Sequence, residues 1–91
     1  MSGVNIIAPP QASATRITTA TTTVVKTGRA QPLRLIIGTT AAGTITIQDG
    51  AGTVKAVFKA SMPEGVYELG FVVAGLTVVT GAASDITIVY L

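Results

Sequence analysis

The sequence predicts an all-β protein, a small antiparallel β-sandwich or jelly-roll-like barrel of about seven to eight short strands with an extended N-terminal arm. Threonine accounts for 15 of the 91 residues, and valine and isoleucine are also abundant. Such β-branched residues fit a pleated sheet and lose rotamer freedom in a helix. Glycine and proline recur along the chain, and no segment carries a sustained 3.6-residue apolar period. Short strands separated by turns therefore explain the pattern better than helices.

The first 14 residues differ from the rest of the chain. They carry no charge and contain Pro9-Pro10, which disfavours a helix and favours extended backbone. We expect residues 1–14 to form an extended N-terminal arm and residues 15–91 to form a single β-sandwich domain. The arm is interpretable as a frayed terminus, or as a segment whose apolar side chains dock on a neighbouring subunit. Those side chains are Val4, Ile6 and Ile7.

Eight segments carry strand signals. The predicted strands are 15–19, 21–26, 33–37, 44–48, 54–59, 66–73, 76–80 and 85–91. Because side chains alternate across a strand, one set points into a core. The predicted core side chains are Leu33, Leu35, Ile37, Ile45, Ile47, Val54, Ala56, Phe58, Tyr67, Leu69, Phe71, Val73, Ile86, Ile88 and Tyr90.

The opposite faces of these strands carry apolar side chains as well. They are Ile36, Val57, Val72, Val79, Val89 and Leu91. Only 11% of the residues are charged, so these side chains have few charged neighbours to keep the outer faces soluble. The sequence therefore predicts self-association, or docking onto a larger assembly.

The composition excludes most catalytic chemistry. Cysteine and histidine are absent, which rules out disulfides, thiolate nucleophiles, zinc–sulfur sites and imidazole bases or ligands. Of the 4 carboxylates, Asp49 lies in a tight Asp-Gly turn and Asp85 at the start of a strand, where solvated aspartate is common. Calcium binding by these two residues would lack a loop signature. We expect no enzyme, no metal site and no cofactor.

Membrane and phosphate binding are also disfavoured. The longest uncharged stretch, 69–84, has 16 residues, short of the roughly 20 that a spanning helix needs. No basic residue precedes Arg16, so the N-terminus does not resemble a secretory signal, and we expect a soluble protein made in a cytoplasm. The glycine-containing segments 38–43 and 50–52 do not precede a helix, so they are interpreted as hairpin loops rather than phosphate cradles.

The charge is unevenly distributed along the chain. The net charge is +2, but residues 1–48 carry +4 and residues 49–91 carry −2. This asymmetry indicates either an acidic partner or head-to-tail contact between copies. Direct nucleic-acid binding is not expected, since basic residues and aromatic stacking platforms do not cluster. The candidate contacts are Arg16, Lys26, Arg29 and Arg34. For Arg34, a solvated outer strand face is an equally good interpretation.

Two segments of the chain carry a family resemblance. They are AGTITIQD at 42–49 and GLTVVTGAASDITIVY at 75–90. Together they resemble small β-rich virion proteins of tailed bacteriophages, in which a GTITIxD strand precedes a GLTVVTxGxAxDITVxY ending. The resemblance covers roughly residues 35–91. It implies a virion structural role, most often as a capsid decoration (cement) protein, with tail or fibre proteins as the alternative, and it transfers no catalytic residue.

The leading functional expectation is a capsid decoration protein. It would be a homotrimer made in the host bacterial cytoplasm and located on the capsid surface of the virion, where it binds the major capsid protein and clamps neighbouring subunits. A tail, neck or fibre protein is the first alternative, and copy number per particle separates the two. A sugar- or surface-binding β module is the second. It usually needs exposed aromatic platforms or a calcium site, whereas this chain has 4% aromatic residues and no tryptophan.

Overall fold

The computed structural model describes residues 12–40, 42–50 and 52–91, and it confirms the predicted fold class. The described chain forms two four-stranded antiparallel sheets. The strands are β1 (Ser13–Ile17), β2 (Thr22–Lys26), β3 (Pro32–Thr39), β4 (Ile45–Asp49), β5 (Thr53–Phe58), β6 (Gly65–Glu68), β7 (Leu76–Thr80) and β8 (Asp85–Tyr90). All eight predicted strands are therefore present, with bounds that differ by a few residues.

The sheet topology is that of a jelly roll. The strand orders are β1-β8-β3-β6 and β2-β7-β4-β5. Four pairs are nested along the chain (β1 with β8, β2 with β7, β3 with β6 and β4 with β5), as if one long hairpin had been rolled up. The β8–β3 and β7–β4 pairs then join these hairpin pairs into two sheets. Eight strands connected in this way define the double-sheet jelly roll.

The hydrophobic core lies between the two sheets. Leu35 and Ile88 of the first sheet and Ile47 and Val78 of the second have no exposed surface. Alternation along β3, β4 and β8 correctly predicts the buried leucine and isoleucine side chains of those strands. Leu33 was wrongly predicted to be in the core: it is only partly buried and Pro32 is buried instead, because a register shift between Pro32 and Arg34 interrupts the alternation of β3. The remaining buried apolar residues are Ile17, Ala30, Ile37, Ile45, Val73, Leu76 and Ile86.

The predicted strand over 66–73 is half as long as expected. β6 ends at Glu68, and the chain then leaves the sheet, so that Val73 pairs with Ala30 in an isolated bridge. Val73 is buried, whereas Tyr67, Leu69 and Phe71 are only partly buried and pack against the edge of the core. The predicted core side chains of the segment 66–73 therefore do not lie on one continuous strand.

Val54 is the clearest error in the predicted core. Its side chain is 52% exposed. A register shift places Ala56 opposite Ile47 but Val54 opposite Gln48, which leaves Lys55 as the extra residue of a β-bulge. Because a bulge inserts one residue, it reverses the face of the side chains beyond it. Val54 accordingly lies on the outer face.

The N-terminal arm is described only at its end. β1 begins at Ser13, two residues before the predicted start of the domain. Residues 1–11 lie outside the described residues, and so do the candidate contacts Val4, Ile6 and Ile7. Their docking role stays a prediction.

Candidate docking surface

The two outer faces of the sandwich differ in charge. Residues directly opposite each other on paired strands share a face, so the register assigns both faces. We call the outer side of β1-β8-β3-β6 the charged face. Its residues are Ala14, Arg16, Arg34, Ile36, Val66, Glu68, Asp85, Thr87 and Val89. We call the outer side of β2-β7-β4-β5 the uncharged face. Its residues are Thr22, Val24, Thr46, Gln48, Val54, Val57, Thr77 and Val79.

Two intramolecular ion pairs partly neutralise the charged face. Arg16 donates from Nε to Oδ1 and from Nη2 to Oδ2 of Asp85, both at 2.8 Å. These hydrogen bonds lower the pKa of Asp85, and the same interaction raises the pKa of Arg16. Arg34 Nε lies 3.5 Å from Glu68 Oε2, a looser contact between two exposed side chains. Two of the four candidate basic contacts are therefore already paired within the chain.

The uncharged face consists of threonine, valine and one glutamine, and of these residues Thr77 on the inner strand β7 is buried. One row of register partners runs from Thr22 through Val79 and Thr46 to Val57. The adjacent row runs from Val24 through Thr77 and Gln48 to Val54. Three of its valines are more than half exposed: Val24 at 62%, Val57 at 58% and Val54 at 52%. Neither row contains a charged residue. The exposed bulge residue Lys55 lies beside Val54 on the edge strand β5, so the two rows can be covered without desolvating an ion as long as the Lys55 ammonium group stays in solvent at that edge.

The predicted outer apolar residues are exposed to different extents. Val57 and Val72 are exposed, as expected for an isolated chain. Ile36, Val79, Val89 and Leu91 are half-buried. Alternation missed Val24, Val54 and Val66, which are also exposed. Val66 shares the outer side of β6 with Glu68, and Val54 was misplaced by the bulge.

A basic cleft lies at the end of the sandwich where β2 and β8 finish. It has a volume of about 290 Å³ and is lined by Lys26, Arg29, Ala30, Gln31, Val72 and Leu91. Backbone hydrogen bonds fix its walls: Ala30 and Val73 exchange two at 2.9 Å, and Gln31 and Leu91 exchange two at 3.2 and 2.9 Å. The other two candidate basic contacts, Lys26 and Arg29, thus meet in one cleft.

Asp49, considered at first as a possible acid or ligand, has a structural role. Its Oδ1 accepts hydrogen bonds from the backbone N–H groups of Ala74 at 2.9 Å and Gly75 at 3.3 Å. Gly50, with φ of +69°, donates its own N–H to the carbonyl of Gly75 at 2.8 Å. The side chain therefore fastens the β6–β7 connection to the β4–β5 turn.

Within residues 12–40, 42–50 and 52–91, no three His, Cys, Asp or Glu side chains gather in a way that could hold a metal ion. Over the same residues, no helix is long and apolar enough to cross a membrane. Comparison with protein-family models, with curated proteins and with solved structures gives no match to this chain. The fold and the two faces therefore define a small jelly-roll protein in which the register rows of one outer face carry no charge.

Proposed function

We propose that this protein is a bacteriophage capsid decoration protein that binds the outer surface of the head and clamps neighbouring capsid subunits. The observation that carries the proposal is the uncharged outer face of β2-β7-β4-β5. The resemblance of residues 42–49 and 75–90 to phage virion proteins supports the same assignment, as does the jelly-roll topology, which viral capsid domains use. A shared topology does not determine function, so the surface carries the argument.

Covering the uncharged face is favourable because it exposes apolar surface and holds no ion. Burying a charged group would cost several kcal/mol of desolvation, and no residue of the two register rows requires it, while Lys55 at the β5 edge can keep its ammonium group in solvent. Each of its half-exposed valines contributes about 1 kcal/mol when the remaining surface is buried. A protein partner with a flat, uncharged surface fits these properties.

The size of this face indicates a weak individual contact. Four strands about 4.8 Å apart and about five residues long give a footprint of roughly 320 Å². A stable interface buries about 800 Å² on each partner. One copy therefore binds weakly through this face alone. A homotrimer that spans several capsid subunits would bind through several such faces at once, and this multivalency would raise its overall affinity.

The aromatic side chains argue against a sugar-binding module or a single-stranded nucleic-acid-binding protein. The chain has 2 phenylalanines and 2 tyrosines and no tryptophan. All four rings pack against the hydrophobic core: Phe58, Tyr67, Phe71 and Tyr90. None is left as an open stacking platform, which both classes of ligand usually need.

The proposal is tested by adding purified protein to phage heads that lack it and measuring cosedimentation. We expect saturable binding and, by analytical ultracentrifugation, a trimer. The matched variants are Val57→Lys on the uncharged face and Val66→Lys on the charged face, at side chains 58% and 57% exposed. Val57→Lys should weaken head binding about tenfold or more, since it buries an ammonium group, while Val66→Lys should leave it unchanged. A protein that stays monomeric and does not bind such heads would refute the proposal.

Copy number separates a head protein from a tail, neck or fibre protein. A decoration protein is expected at hundreds of copies per particle, whereas tail components are present at tens or fewer. Quantitative mass spectrometry of purified particles measures this number directly. A count in the tens would favour the alternative of a tail, neck or fibre protein.

A further inference from the structure

We propose that the basic cleft receives an acidic side chain of a protein partner, with Lys26 and Arg29 as the residues that recognise its carboxylate. This inference rests on the proposed function, because it specifies what the docking partner presents. The cleft has a volume of about 290 Å³, below the usual 300–1,000 Å³ of small-molecule sites. This volume admits one or two side chains of a partner protein.

Lys26 and Arg29 have no carboxylate side chain of their own as a partner. All 4 carboxylate side chains of the chain lie in the described residues. Asp85 and Glu68 pair with other arginines, and Asp49 accepts from backbone N–H groups. Glu64 lies in the exposed β5–β6 connection, and no ion pair joins it to the cleft. The cleft therefore retains two cations that no side chain neutralises, and the backbone oxygen of Leu91 at its wall is engaged by the N–H of Gln31.

A β-bulge places Lys26 in the cleft. The register passes from Val24 opposite Thr77 to Lys26 opposite Leu76, so that Val25 is the extra residue. Without the bulge, alternation would put Lys26 on the uncharged face beside Val24. With the bulge, the aliphatic part of the Lys26 side chain starts on the same side of the sheet as Leu76, which is fully buried. Bulges that redirect one side chain are common next to functional sites.

The lining favours a protein carboxylate over a nucleic-acid phosphate. Ala30, Val72 and Leu91 contribute apolar surface beside the two cations, and Val72 is 46% exposed. An apolar wall next to a guanidinium suits a carboxylate on an aliphatic stem, which the arginine can bind in a bidentate fork. Nucleic acid would need a row of cations along a backbone track and open aromatic rings, and the rings here are packed on the core.

The test is an amide-resolved NMR titration of the full chain. The probe is a blocked pentapeptide, acetyl-Glu-Leu-Glu-Leu-Glu-amide, and its matched control replaces each glutamate with glutamine. We expect chemical-shift changes confined to residues 26–31, 72–73 and 91 with the glutamate peptide only. Arg29→Gln and Lys26→Gln should each raise the peptide Kd about two- to fivefold, the range typical of partly exposed charge pairs. Lys59→Gln, which removes the same charge from an exposed site outside the cleft, should not change it.

Several outcomes would overturn the inference. Equal shifts with the glutamine peptide would show that the carboxylate is not recognised. An equal loss of affinity in Lys59→Gln would show that peptide binding responds to the net charge of the protein and not to the cleft. Stronger shifts at the same amides with a single-stranded oligonucleotide would identify a phosphate site.

Head binding separates this inference from the proposed function. If the wild-type protein binds heads and the Lys26→Gln/Arg29→Gln double variant binds them equally well, the cleft inference fails and the decoration role stands. If the wild-type protein does not bind heads, the proposed function fails whatever the peptide does.

Discussion

Arg16 and Asp85 form a bidentate ion pair that joins the edge strand β1 to the central strand β8. Both hydrogen bonds measure 2.8 Å, and the two residues are 69 positions apart in the chain. Arg16 is in register with Thr87, so Asp85 lies two residues away on the same face of the sheet. The pair therefore depends on the correct register of β1 against β8.

Replacing Arg16 by glutamine should raise the pKa of Asp85 toward its usual value of about 3.9. The hydrogen bonds from Arg16 stabilise the ionised carboxylate and hold this pKa low in the folded protein. A carboxyl whose pKa is lower in the folded than in the unfolded state contributes stability above the unfolded pKa, and loses it as the pH falls through the folded value. Arg16→Gln should thus destabilise the fold at pH 7, and by less at pH 2, because Asp85 becomes protonated as the pH falls.

Carbon-detected NMR titration of the Asp85 carboxyl measures this pKa, and urea unfolding at both pH values measures the stability. Arg34→Gln is the control, because Arg34 contacts Glu68 and not Asp85. An unchanged Asp85 titration in Arg16→Gln would contradict the assignment of the shift to this pair.

Gly43 is the glycine whose replacement should destabilise the fold most clearly. A Cβ at Gly43 would lie 2.7 Å from the carbonyl carbon of Gly81 and 2.9 Å from the nitrogen of Ala82. These are backbone atoms, so the β3–β4 and β7–β8 connections would have to separate. We expect Gly43→Ala to cost about 1–3 kcal/mol in urea unfolding. Gly70→Ala, which meets nothing within 4 Å, should stay within about 0.5 kcal/mol of wild type. Equal unfolding midpoints would show that the connections move apart freely.

Strand positions could be predicted from the sequence because alternation is a local property. The segment around Ile45 and Ile47 buries the side chains that its pattern predicts, and so does the segment around Ile86 and Ile88. Bulges could not be predicted, since one extra residue is recognised only against a partner strand. Val54 was therefore assigned to the core without the information that decides its face, and alternation could not show that a bulge brings Lys26 into the cleft.

The charge asymmetry of the chain acquires a second explanation from the topology. The jelly roll pairs strands from the basic first half with strands from the acidic second half. Arg16 of β1 thereby meets Asp85 of β8, and Arg34 of β3 meets Glu68 of β6. Two of the four basic residues that led to the prediction of an acidic partner are thus neutralised by ion pairs within the molecule. Which basic residues form ion pairs depends on how strands that are distant in the sequence pair with each other, and the composition carries no information about that pairing. The sequence alone therefore could not distinguish Arg16 and Arg34, which form ion pairs, from the basic residues that do not.

Thr80 should be the threonine whose hydroxyl matters most to stability. It is 3% exposed, and its Oγ1 accepts from the N–H of Thr21 at 3.0 Å and donates to the carbonyl of Thr19 at 2.6 Å. These bonds hold the β1–β2 connection against β7. We expect Thr80→Val to cost about 1–2 kcal/mol, because both backbone groups lose their partner. Thr46→Val, on the uncharged face, should change the unfolding free energy by less than about 0.5 kcal/mol. Similar destabilisation of both variants would assign the loss to the threonine-to-valine change itself.

Phe58 and Tyr67 connect the edges of the two sheets. Their ring centroids lie 5.6 Å apart at an interplanar angle of 67°, an edge-to-face arrangement. Phe58 ends β5 at the edge of one sheet, and Tyr67 lies in β6 at the edge of the other. Edge-to-face pairs contribute about 0.5–1.5 kcal/mol beyond the area they bury. Phe58→Leu and Tyr67→Leu should therefore be non-additive by about that amount in a double-mutant cycle followed by urea unfolding. Tyr67→Phe, which loses only the hydroxyl's bond to the exposed carbonyl of Pro63, should keep the coupling. Strict additivity of the two leucine variants would mean that the sheets are held together at this edge by burial alone.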